Sequence, residues 1–410
     1  MVRILRLSLL VLTSVLIFIS CNQDPTSIGS NIVPSKNQIG FAQVDSYLGN
    51  YKQSSSYYSI KPKLGGGTFI LIGNLPYMQS SILLRWDIFM DDSLKTALQN
   101  GSLTVKSAYL TMTPVYTIGD STSSLDFTIS QIRSPWSASG FDRDSISQLV
   151  LDNSNIKISN ITITKSTQNF DSLYSCNLNT SAVYNWLKYV ADSNSVPRSY
   201  GTQLTPTSST KKIIGFSAIN LLSSTTSNAT LLHVVLSRPT WSSDDTLAVS
   251  PSQDIHFIQK YIPPANTGDI YLEGSYATEG KVFIDFPSIP KNVIINKATL
   301  TLYVDSLNTT DGSLKSDSIN AKTLGDSTSN VLSKDSSTYA LLSRSGNTFS
   351  GNVAWMIQKW IDKDVNYPNQ GITLALSDQA ESAARIAFYG SKNPNKLLRP
   401  KLTFTYTQKQ

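Results

Sequence analysis

The sequence predicts an all-β protein made of two duplicated, jelly-roll-like antiparallel β-sandwich lobes, each with one short helix. The first observation is composition: Ser, Thr, Asn, Tyr and Val are abundant, whereas Glu occurs only at Glu273, Glu279 and Glu381. Such a mixture favours pleated sheet and turns over helices. The second observation is that, from Phe41 onward, short apolar segments alternate with Gly, Pro, Asn and Ser clusters, which is typical of strands and turns.

The third observation is an internal duplication. Val105–Met112 contains Ala-Tyr-Leu-Thr, and Ile295–Leu302 contains Ala-Thr-Leu-Thr. Other blocks recur in the same order: Leu83–Asp87 with Val282–Phe286, Val183–Trp186 with Ile357–Trp360, Tyr200–Leu204 with Gln370–Leu374, and Ile214–Ser217 with Ile386–Tyr389. A repeat of this length predicts two units of the same fold, each long enough for a sandwich domain of about 150–200 residues.

The repeat and the breaks in composition divide the chain into four segments. Residues 1–20 are predicted to be a lipoprotein signal peptide and residues 21–40 a polar tether. Lobe 1 is expected at 41–245 and lobe 2 at 246–410, because the Ser/Asp/Pro-containing stretch Trp241–Asp254 is the best boundary. Helical spacing is clearest at Asn179–Val190 and Asn352–Asp362, with Asp92–Gln99 as a weaker candidate.

The N-terminus predicts export and lipidation. Arg3 and Arg6 precede the apolar stretch Leu7–Ile19, which is shorter than the roughly 20 residues that span a bilayer but suits a signal peptide. Phe18-Ile19-Ser20-Cys21 resembles a bacterial lipobox. The resemblance implies lipid on Cys21 (diacylglycerol, with fatty acids such as palmitate) and cleavage before it. We expect an outer-membrane lipoprotein of the cell envelope and leave open whether it faces the cell surface.

Several classes of function have little support in the sequence. The net charge of +6 comes from scattered Lys and Arg residues, so no nucleic-acid partner is expected. Lipidation of Cys21 leaves Cys176 without an intramolecular partner, and we expect a buried thiol. The only histidines, His233 and His256, have no metal-ligand spacing or nucleophile motif beside them.

The second lobe resembles the DNRLRE domain, an extracellular bacterial β-sandwich similar to an alginate-binding family of carbohydrate-binding modules. The resemblance covers most of Gly268–Tyr406 and is most specific at its end, Arg399–Tyr406. The other matching residues are Val282–Phe286, Ala298–Tyr303, Trp360, Tyr367, Gly371–Leu374 and Ala387–Gly390. This resemblance implies a sandwich that binds carbohydrate.

Two further resemblances concern the first half of the chain. Ile132–Trp136 resembles the segment around the mid-domain Trp of the same family. Ser27–Pro34 resembles the opening of a family of Bacteroidetes lipoproteins of unknown function, a rival assignment that brings no functional residues.

Trp136 is the candidate centre of a binding site. It follows Pro135 in a Ser-rich stretch close to Arg133 and Arg143. An exposed ring could stack on a pyranose while the two arginines bind a carboxylated sugar. The alternative is that Trp136 folds back to cap the edge of the sandwich.

No cofactor is expected, although Ca²⁺ stays open at two acidic pairs. Asp142 with Asp144, and Asp244 with Asp245, could supply oxygen ligands. They lack regular loop spacing, so solvated turns are the alternative.

The function expected from the sequence is a surface-anchored, non-catalytic binding lipoprotein for a polysaccharide or another envelope component. Its partners would be the membrane, through the lipid anchor, and a polysaccharide ligand. A polysaccharide-degrading enzyme and a structural subunit of a surface assembly are the alternatives. The oligomeric state is left open.

Overall fold

The structure is a computed structural model of the 410-residue chain. It describes residues 41–408 except 50, 62–63, 66, 165–171, 220–229, 267, 287–288, 291 and 336. The predicted signal peptide, Cys21 and the tether at 21–40 lie outside these residues. No helix within the described ranges is long and apolar enough to cross a membrane.

Strands dominate the described chain. The strands of its first part are β1 (Phe41–Asp45), β2 (Gln53–Ser59), β3 (Phe69–Leu75), β4 (Met78–Arg85), β5 (Thr104–Met112), β6 (Pro114–Gly119), β7 (Phe127–Ile132), β8 (Leu151–Asp152), β9 (Thr162–Thr164), β10 (Leu173–Asn177), β11 (Thr202–Pro206), β12 (Lys212–Ser217), β13 (Leu231–Ser237), β14 (Asp245–Val249) and β15 (Gln253–Tyr261). The remaining strands are β16 (Ile270–Glu273), β17 (Thr278–Ile284), β18 (Val293–Tyr303), β19 (Ser318–Asp326), β20 (Val331–Leu332), β21 (Ala340–Ser345), β22 (Thr348–Asn352), β23 (Ile372–Leu376), β24 (Arg385–Phe388) and β25 (Lys401–Gln408). The helices are α1 (Asp92–Gln99), α2 (Arg143–Ile146), α3 (Thr180–Ala191) and α4 (Ala354–Ile361), with a 3₁₀ turn at Lys396–Leu398.

Lobe 1 is a β-sandwich of two antiparallel sheets. One sheet has the order β14-β13-β5-β10-β9, and the other has the order β6-β12-β3-β4-β11-β7-β8 with β15 also paired to β4. Alternate residues of both sheets meet in one core, for example Ile82 and Leu84 of β4 with Ala108 and Leu110 of β5. The period of two along each strand selects this face.

Lobe 2 is a single antiparallel sheet curled around its own core. Its order is β1-β25-β18-β22-β21-β19-β23-β17-β16-β24, with β2 paired to β17 and β20 paired to β19. Val282 of β17 and Leu300 of β18 belong to one hydrophobic cluster although their strands lie far apart in this order. The sheet therefore faces itself, and the predicted all-β sandwich class is confirmed.

The helices begin where polar residues cap them. Asp91 accepts a hydrogen bond from the Leu94 amide (2.7 Å) ahead of α1, and Asn179 accepts one from the Ser181 amide (2.9 Å) ahead of α3. The predicted helices at 92–99, 179–190 and 352–362 are confirmed as α1, α3 and α4. The expectation of one helix per lobe is wrong for lobe 1, because α1 and the short α2, capped by Asp142, are added to α3.

The duplicated blocks occupy matching places in the two lobes. The Ala108 carbonyl accepts from the Leu178 amide just ahead of α3 (2.8 Å), and the Ala298 carbonyl accepts from the Val353 amide just ahead of α4 (2.9 Å). β5 lies between β10 and β13, as β18 lies between β22 and β25.

One block needs a shift of a single residue. Leu84 pairs with Thr202 just after Gly201, and Val282 pairs with Ile372 just after Gly371. Leu84, and not Leu83, therefore corresponds to Val282. The shift matters because one residue reverses the face of a strand.

The two repeats exchange their first two strands. β1 and β2 precede the body of lobe 1 in the chain, but they pair with β25 and β17 of lobe 2. β14 and β15 precede the body of lobe 2, but they pair with β13 and β4 of lobe 1. β13 matches β25 as the last strand of its body, and β4 matches β17 through Leu84 and Val282. Each lobe is therefore completed by strands that the repeat order assigns to the other.

This pairing revises the predicted domain limits. Lobe 1 comprises β3 to β15 (69–261), and lobe 2 comprises β16 to β25 together with β1 and β2 (41–59 and 270–408). The predicted limits 41–245 and 246–410 divide the chain where the sequence repeat begins again. The observed limits differ because β1 and β2 pair with strands of lobe 2, and β14 and β15 with strands of lobe 1. The chain changes lobe between β2 and β3 and again between β15 and β16, so the stretch Trp241–Asp254 is not the join.

The lobes meet through apolar and buried polar contacts. Tyr77 and Tyr116 of lobe 1 pack in one cluster with Ala383 of lobe 2. Glu273 of lobe 2 is fully buried and pairs with Arg385, while Tyr261 of lobe 1 donates a hydrogen bond to it. The ion pair lies within lobe 2, and the Tyr261 hydroxyl links this buried carboxylate to lobe 1.

Candidate functional site

The Trp136 ring lies inside lobe 1. Only 7% of the residue is exposed, and its ring meets Phe141 edge-on with 6.2 Å between centroids. Its indole nitrogen donates to the Tyr200 carbonyl oxygen at 2.9 Å. The ring is not exposed to a pyranose, so the expectation of an exposed platform is corrected; Trp136 folds back on the lobe, as the alternative held, but it packs with Leu83 and Ile255 on the face of the sheet and not at its edge.

The two arginines near Trp136 in sequence are engaged elsewhere. Arg133 forms an ion pair with Asp152 at 2.8 Å. Arg143 lies 4.1 Å above the Tyr276 ring of lobe 2 and donates to its hydroxyl at 2.9 Å. The three predicted residues therefore do not form one open site.

The acidic pairs act as local caps and ion-pair partners. Asp142 caps α2 through the Ser145 amide (3.0 Å), and Asp144 pairs with Lys61 (2.8 Å). Asp244 pairs with Lys106 (2.6 Å), and Asp245 accepts from the Thr246 amide (2.8 Å). The described residues contain no group of three or more His, Cys, Asp or Glu side chains that could hold a metal ion.

Cys176 and His256 are buried, and His233 is half-buried. Burial raises the pKa of the Cys176 thiol to about 12 and lowers the pKa of His256 to about 4. The His256 ring lies 3.0 Å from the Ser275 hydroxyl, but the cavity beside it has a volume of only about 20 Å³. That is room for a water and not for a substrate. His233 stacks on Tyr109 in β5 with 4.7 Å between ring centroids.

A cleft of about 310 Å³ opens at the end of lobe 1. Its lining comes from the segment after β4, the C-terminal half of α3 and the turn before β11. The lining residues are Arg85, Trp86, Asp87, Ile88, Phe89, Trp186, Tyr189, Val190, Arg198, Ser199 and Gly201. The volume lies at the lower end of the range for small-ligand pockets.

The segment after β4 continues the alternation of a strand and so points Phe89 outward. Trp86 and Ile88 are buried, whereas Asp87 is exposed and Phe89 is 86% exposed. The Trp86 indole nitrogen donates to the Thr202 hydroxyl at 3.2 Å. The wall is thus held rigidly while the Phe89 ring is open to solvent.

Helix α3 and the turn before β11 form the other side. Trp186 and Tyr189 are three residues apart and so share a face of α3. The turn comes close to β4 because Gly201, at φ +115°, has no Cβ, which would lie 2.1 Å from the Leu84 carbonyl oxygen. This approach brings Arg198 to the cleft.

Arg198 is held by aromatic rings and lacks an acidic partner. Its guanidinium carbon lies 5.7 Å from the Tyr189 ring centroid and 4.8 Å from that of Tyr200. The described residues give it no ion pair within 4.0 Å, whereas Arg85 lies 3.5 Å from Asp87. The stacking orients the guanidinium and leaves its N–H donors for a ligand.

Arg198, Tyr189 and Phe89 were missed by the sequence reasoning. A weak signal was present in Pro197-Arg198-Ser199-Tyr200-Gly201, since the repeat block starts at Tyr200. Nothing in the sequence shows, however, that Tyr189 on α3 and Tyr200 both lie close to one guanidinium.

Lobe 2 differs at the matching place. Phe286 lies two residues after Ile284 of β17, as Ile88 lies two residues after Trp86. The Phe286 ring stacks on Trp360 of α4 with 6.0 Å between centroids. This aromatic pair stands where lobe 1 has Ile88 and Trp186, which line the cleft.

Comparison with known proteins assigns no family to the chain. No protein-family model matches it, and no curated protein does. The resemblance of lobe 2 to the DNRLRE domain stays a prediction from sequence, and function has to be argued from the site.

Proposed function

We propose that this protein is an outer-membrane lipoprotein, anchored through Cys21, that binds an acidic polysaccharide in the lobe 1 cleft and has no catalytic role. The observation that carries the proposal is Arg198, a guanidinium in cation–π contact with two tyrosine rings and without a carboxylate partner among the described residues. Such a group matches the carboxylate of a uronic acid.

The cleft offers both kinds of contact that a sugar acid requires. A pyranose has an apolar C–H face, which can stack on the exposed Phe89 ring. Its carboxylate can accept two parallel hydrogen bonds from Arg198, because guanidinium and carboxylate share the same fork geometry. A neutral sugar would gain the stacking contact but not the charged one.

The pre-ordered arginine makes the contact efficient. A free arginine side chain loses about 2 kcal/mol of rotamer entropy when it is fixed. Stacking on Tyr189 and Tyr200 has already restricted Arg198, so less of this cost falls on binding. Selectivity for acidic over neutral glycans is the expected consequence.

Calorimetric titration of the full-length protein in a detergent without a sugar headgroup tests the proposal. The probes are a mannuronate hexamer and the neutral mannohexaose of equal length. Arg198→Ala should weaken hexamannuronate binding 10- to 100-fold, because a hydrogen bond to a charged group contributes roughly 1.5–3 kcal/mol. Arg198→Lys retains the charge but loses the bidentate geometry, so its affinity for hexamannuronate should lie between those of the wild type and Arg198→Ala.

Arg238→Ala is the matched control. Arg238 also stacks on an aromatic ring of lobe 1, Trp241 at 4.9 Å, but it lies outside the cleft and donates to the Ser93 carbonyl oxygen. The affinity of Arg238→Ala for hexamannuronate should equal that of the wild type. Equal affinity of the wild type and Arg198→Ala, or no hexamannuronate binding by the wild type, would contradict the proposal.

A further inference from the structure

The outer face of the eight-stranded sheet of lobe 1 is apolar and covered. Ile255 of β15 and Leu83 of β4 are partners across this sheet, and Leu83 is also the partner of Gln203 in β11. Trp136 and Phe141 pack over Leu83 and Ile255 in one hydrophobic cluster. The segment between β7 and β8 thus closes this face.

The matching face of lobe 2 carries polar residues. Ser56 of β2 and Lys281 of β17 are partners, and Lys281 is also the partner of Thr373 in β23. Lys322 of β19 is paired in turn with Thr373. The positions of Ile255 and Leu83 are therefore taken by Ser56 and Lys281, on which an apolar cover such as Trp136 could not pack favourably.

A groove of about 440 Å³ lies beside Lys322 and Thr373, and its lining also includes the apolar Ile60, Leu332 and Leu376. Glu279, Asn320, Lys322 and Thr373 line it. Within the described residues, neither Lys322 nor Asn320 has a side-chain hydrogen bond or an ion pair, although both are half-buried. Half-buried polar groups of this kind are the ones a ligand can satisfy.

The Glu279 carboxylate is fixed on one oxygen. Tyr58 donates to its Oε2 at 2.6 Å, and Thr373 shares its hydroxyl proton between the same oxygen at 3.1 Å and the Gly280 carbonyl oxygen at 3.2 Å. Burial, and then the charge of Glu279, raise the pKa of Tyr58, so its phenol stays protonated and keeps donating. These two bonds leave Oε1 as an oriented acceptor.

From these groups we propose that the groove is a second carbohydrate site, which takes a neutral, hydroxyl-rich sugar segment. A sugar hydroxyl donates one hydrogen bond and accepts others. Lys322 only donates, ionised Glu279 only accepts, and the Asn320 amide does both, so neighbouring hydroxyls can be paired. Lys322 and Glu279 carry opposite charges, and Lys61 of the lining is paired with Asp144, so the groove has no unbalanced charge that would select an acidic sugar. The inference goes beyond the proposed function because it concerns another lobe and another ligand chemistry.

The double variant Lys322→Ala/Asn320→Ala tests this site in the full-length protein. Neither side chain has a hydrogen bond to lose within the described residues, so its melting temperature should match that of the wild type. The probes are the neutral hexasaccharides of mannose, glucose and galactose. Saturation-transfer NMR detects their binding, and calorimetric titration measures the affinity. The double variant should bind the best of the three at least tenfold more weakly than the wild type. Hexamannuronate affinity should not change.

Lys297→Ala is the matched control, since Lys297 is an exposed lysine on β18 of the same lobe and lies outside the groove. It should bind all probes like the wild type. The inference is overturned if the wild type binds none of the three neutral hexasaccharides, or if the double variant binds them equally well. If either result occurs while the wild type still binds hexamannuronate, the proposal for the lobe 1 cleft is unaffected. If Arg198→Ala loses hexamannuronate binding and the double variant does not, the two sites bind independently.

Discussion

Cutting the chain between β13 and β14 tests the strand exchange. A protease site inserted between Ser242 and Ser243 would be accessible, because both residues are exposed. The N-terminal fragment would carry β1 and β2, which complete lobe 2, and the C-terminal fragment would carry β14 and β15, which complete lobe 1. We expect the two fragments to remain associated after cleavage.

The strand pairing gives the magnitude. β1 contributes five paired residues and β2 seven in lobe 2, and β14 contributes five and β15 eight in lobe 1. Antiparallel pairs average about one hydrogen bond per residue pair, and each contributes about 1 kcal/mol net. The exchanged strands together thus contribute on the order of 20 kcal/mol. Association of two free fragments costs roughly 4–15 kcal/mol.

The assay is native size-exclusion chromatography of the cleaved protein, followed by electrophoresis in denaturant. One native peak of the uncut size, which yields two bands after denaturation, is the expected result. The contacts between lobes could also hold the fragments together, so a direct mark of pairing is needed. Ser54 and Phe283 are partners across β2 and β17, and cysteines at both positions should cross-link the fragments on oxidation.

Each single cysteine variant controls for pairing with Cys176, which is buried. Two native peaks, each with its own cooperative unfolding transition, would show that the lobes are contiguous along the chain. Failure of the cysteine pair to cross-link in the folded protein would refute the pairing of β2 with β17 by itself.

Three further predictions concern stability and export. Trp136→Ala should lower the free energy of unfolding by about 3–5 kcal/mol in urea titrations while hexamannuronate affinity is unchanged, and the opposite pattern would restore Trp136 as a platform. Asp254→Asn should stabilise the protein on the order of 3 kcal/mol at pH 7 and not at pH 4, because burial raises the pKa of Asp254 to about 6 and so penalises only its charged form. His256, with its pKa lowered to about 4, should then make the variant lose stability as the pH falls below about 6.5, since the unfolded state binds more protons there. Cys21→Ala should abolish labelling by a clickable fatty acid, and equal labelling of both proteins would remove the lipid anchor from the proposal.

Local patterns predicted the elements of this fold well. The Ala-x-Leu-Thr blocks lie on equivalent central strands, and α1, α3 and α4 lie where helical spacing predicted them. These successes share a cause: alternation along a strand and the spacing of a helix depend on residues that are close in sequence. The strand exchange could not be predicted in this way, because related strands can pair with either body and the pattern along the chain is the same in both cases.

The site was harder to predict because burial in loops leaves no periodic signal. Trp136 was singled out for its Ser-rich surroundings, but Leu83 and Ile255, which it covers, come from two other segments. Arg198 drew no attention, since its importance depends on Tyr189 in α3. A site assembled from distant segments requires the fold before its members can be recognised.

The duplication explains why the two lobes open in different places. A sandwich lobe must cover enough apolar surface to be stable, but it does not have to cover the same surface in each copy. Lobe 1 closes its outer sheet face with Trp136 and leaves open the cleft beside Arg198. Lobe 2 has Phe286 stacked on Trp360 in the corresponding region; the turn between β19 and β20 bonds Lys281 of its outer face, and the groove beside Lys322 stays open. Of these two regions, each lobe packs one with apolar side chains and leaves the other open to a ligand. Loss of binding in the lobe 1 cleft should therefore leave the lobe 2 groove intact, and the reverse.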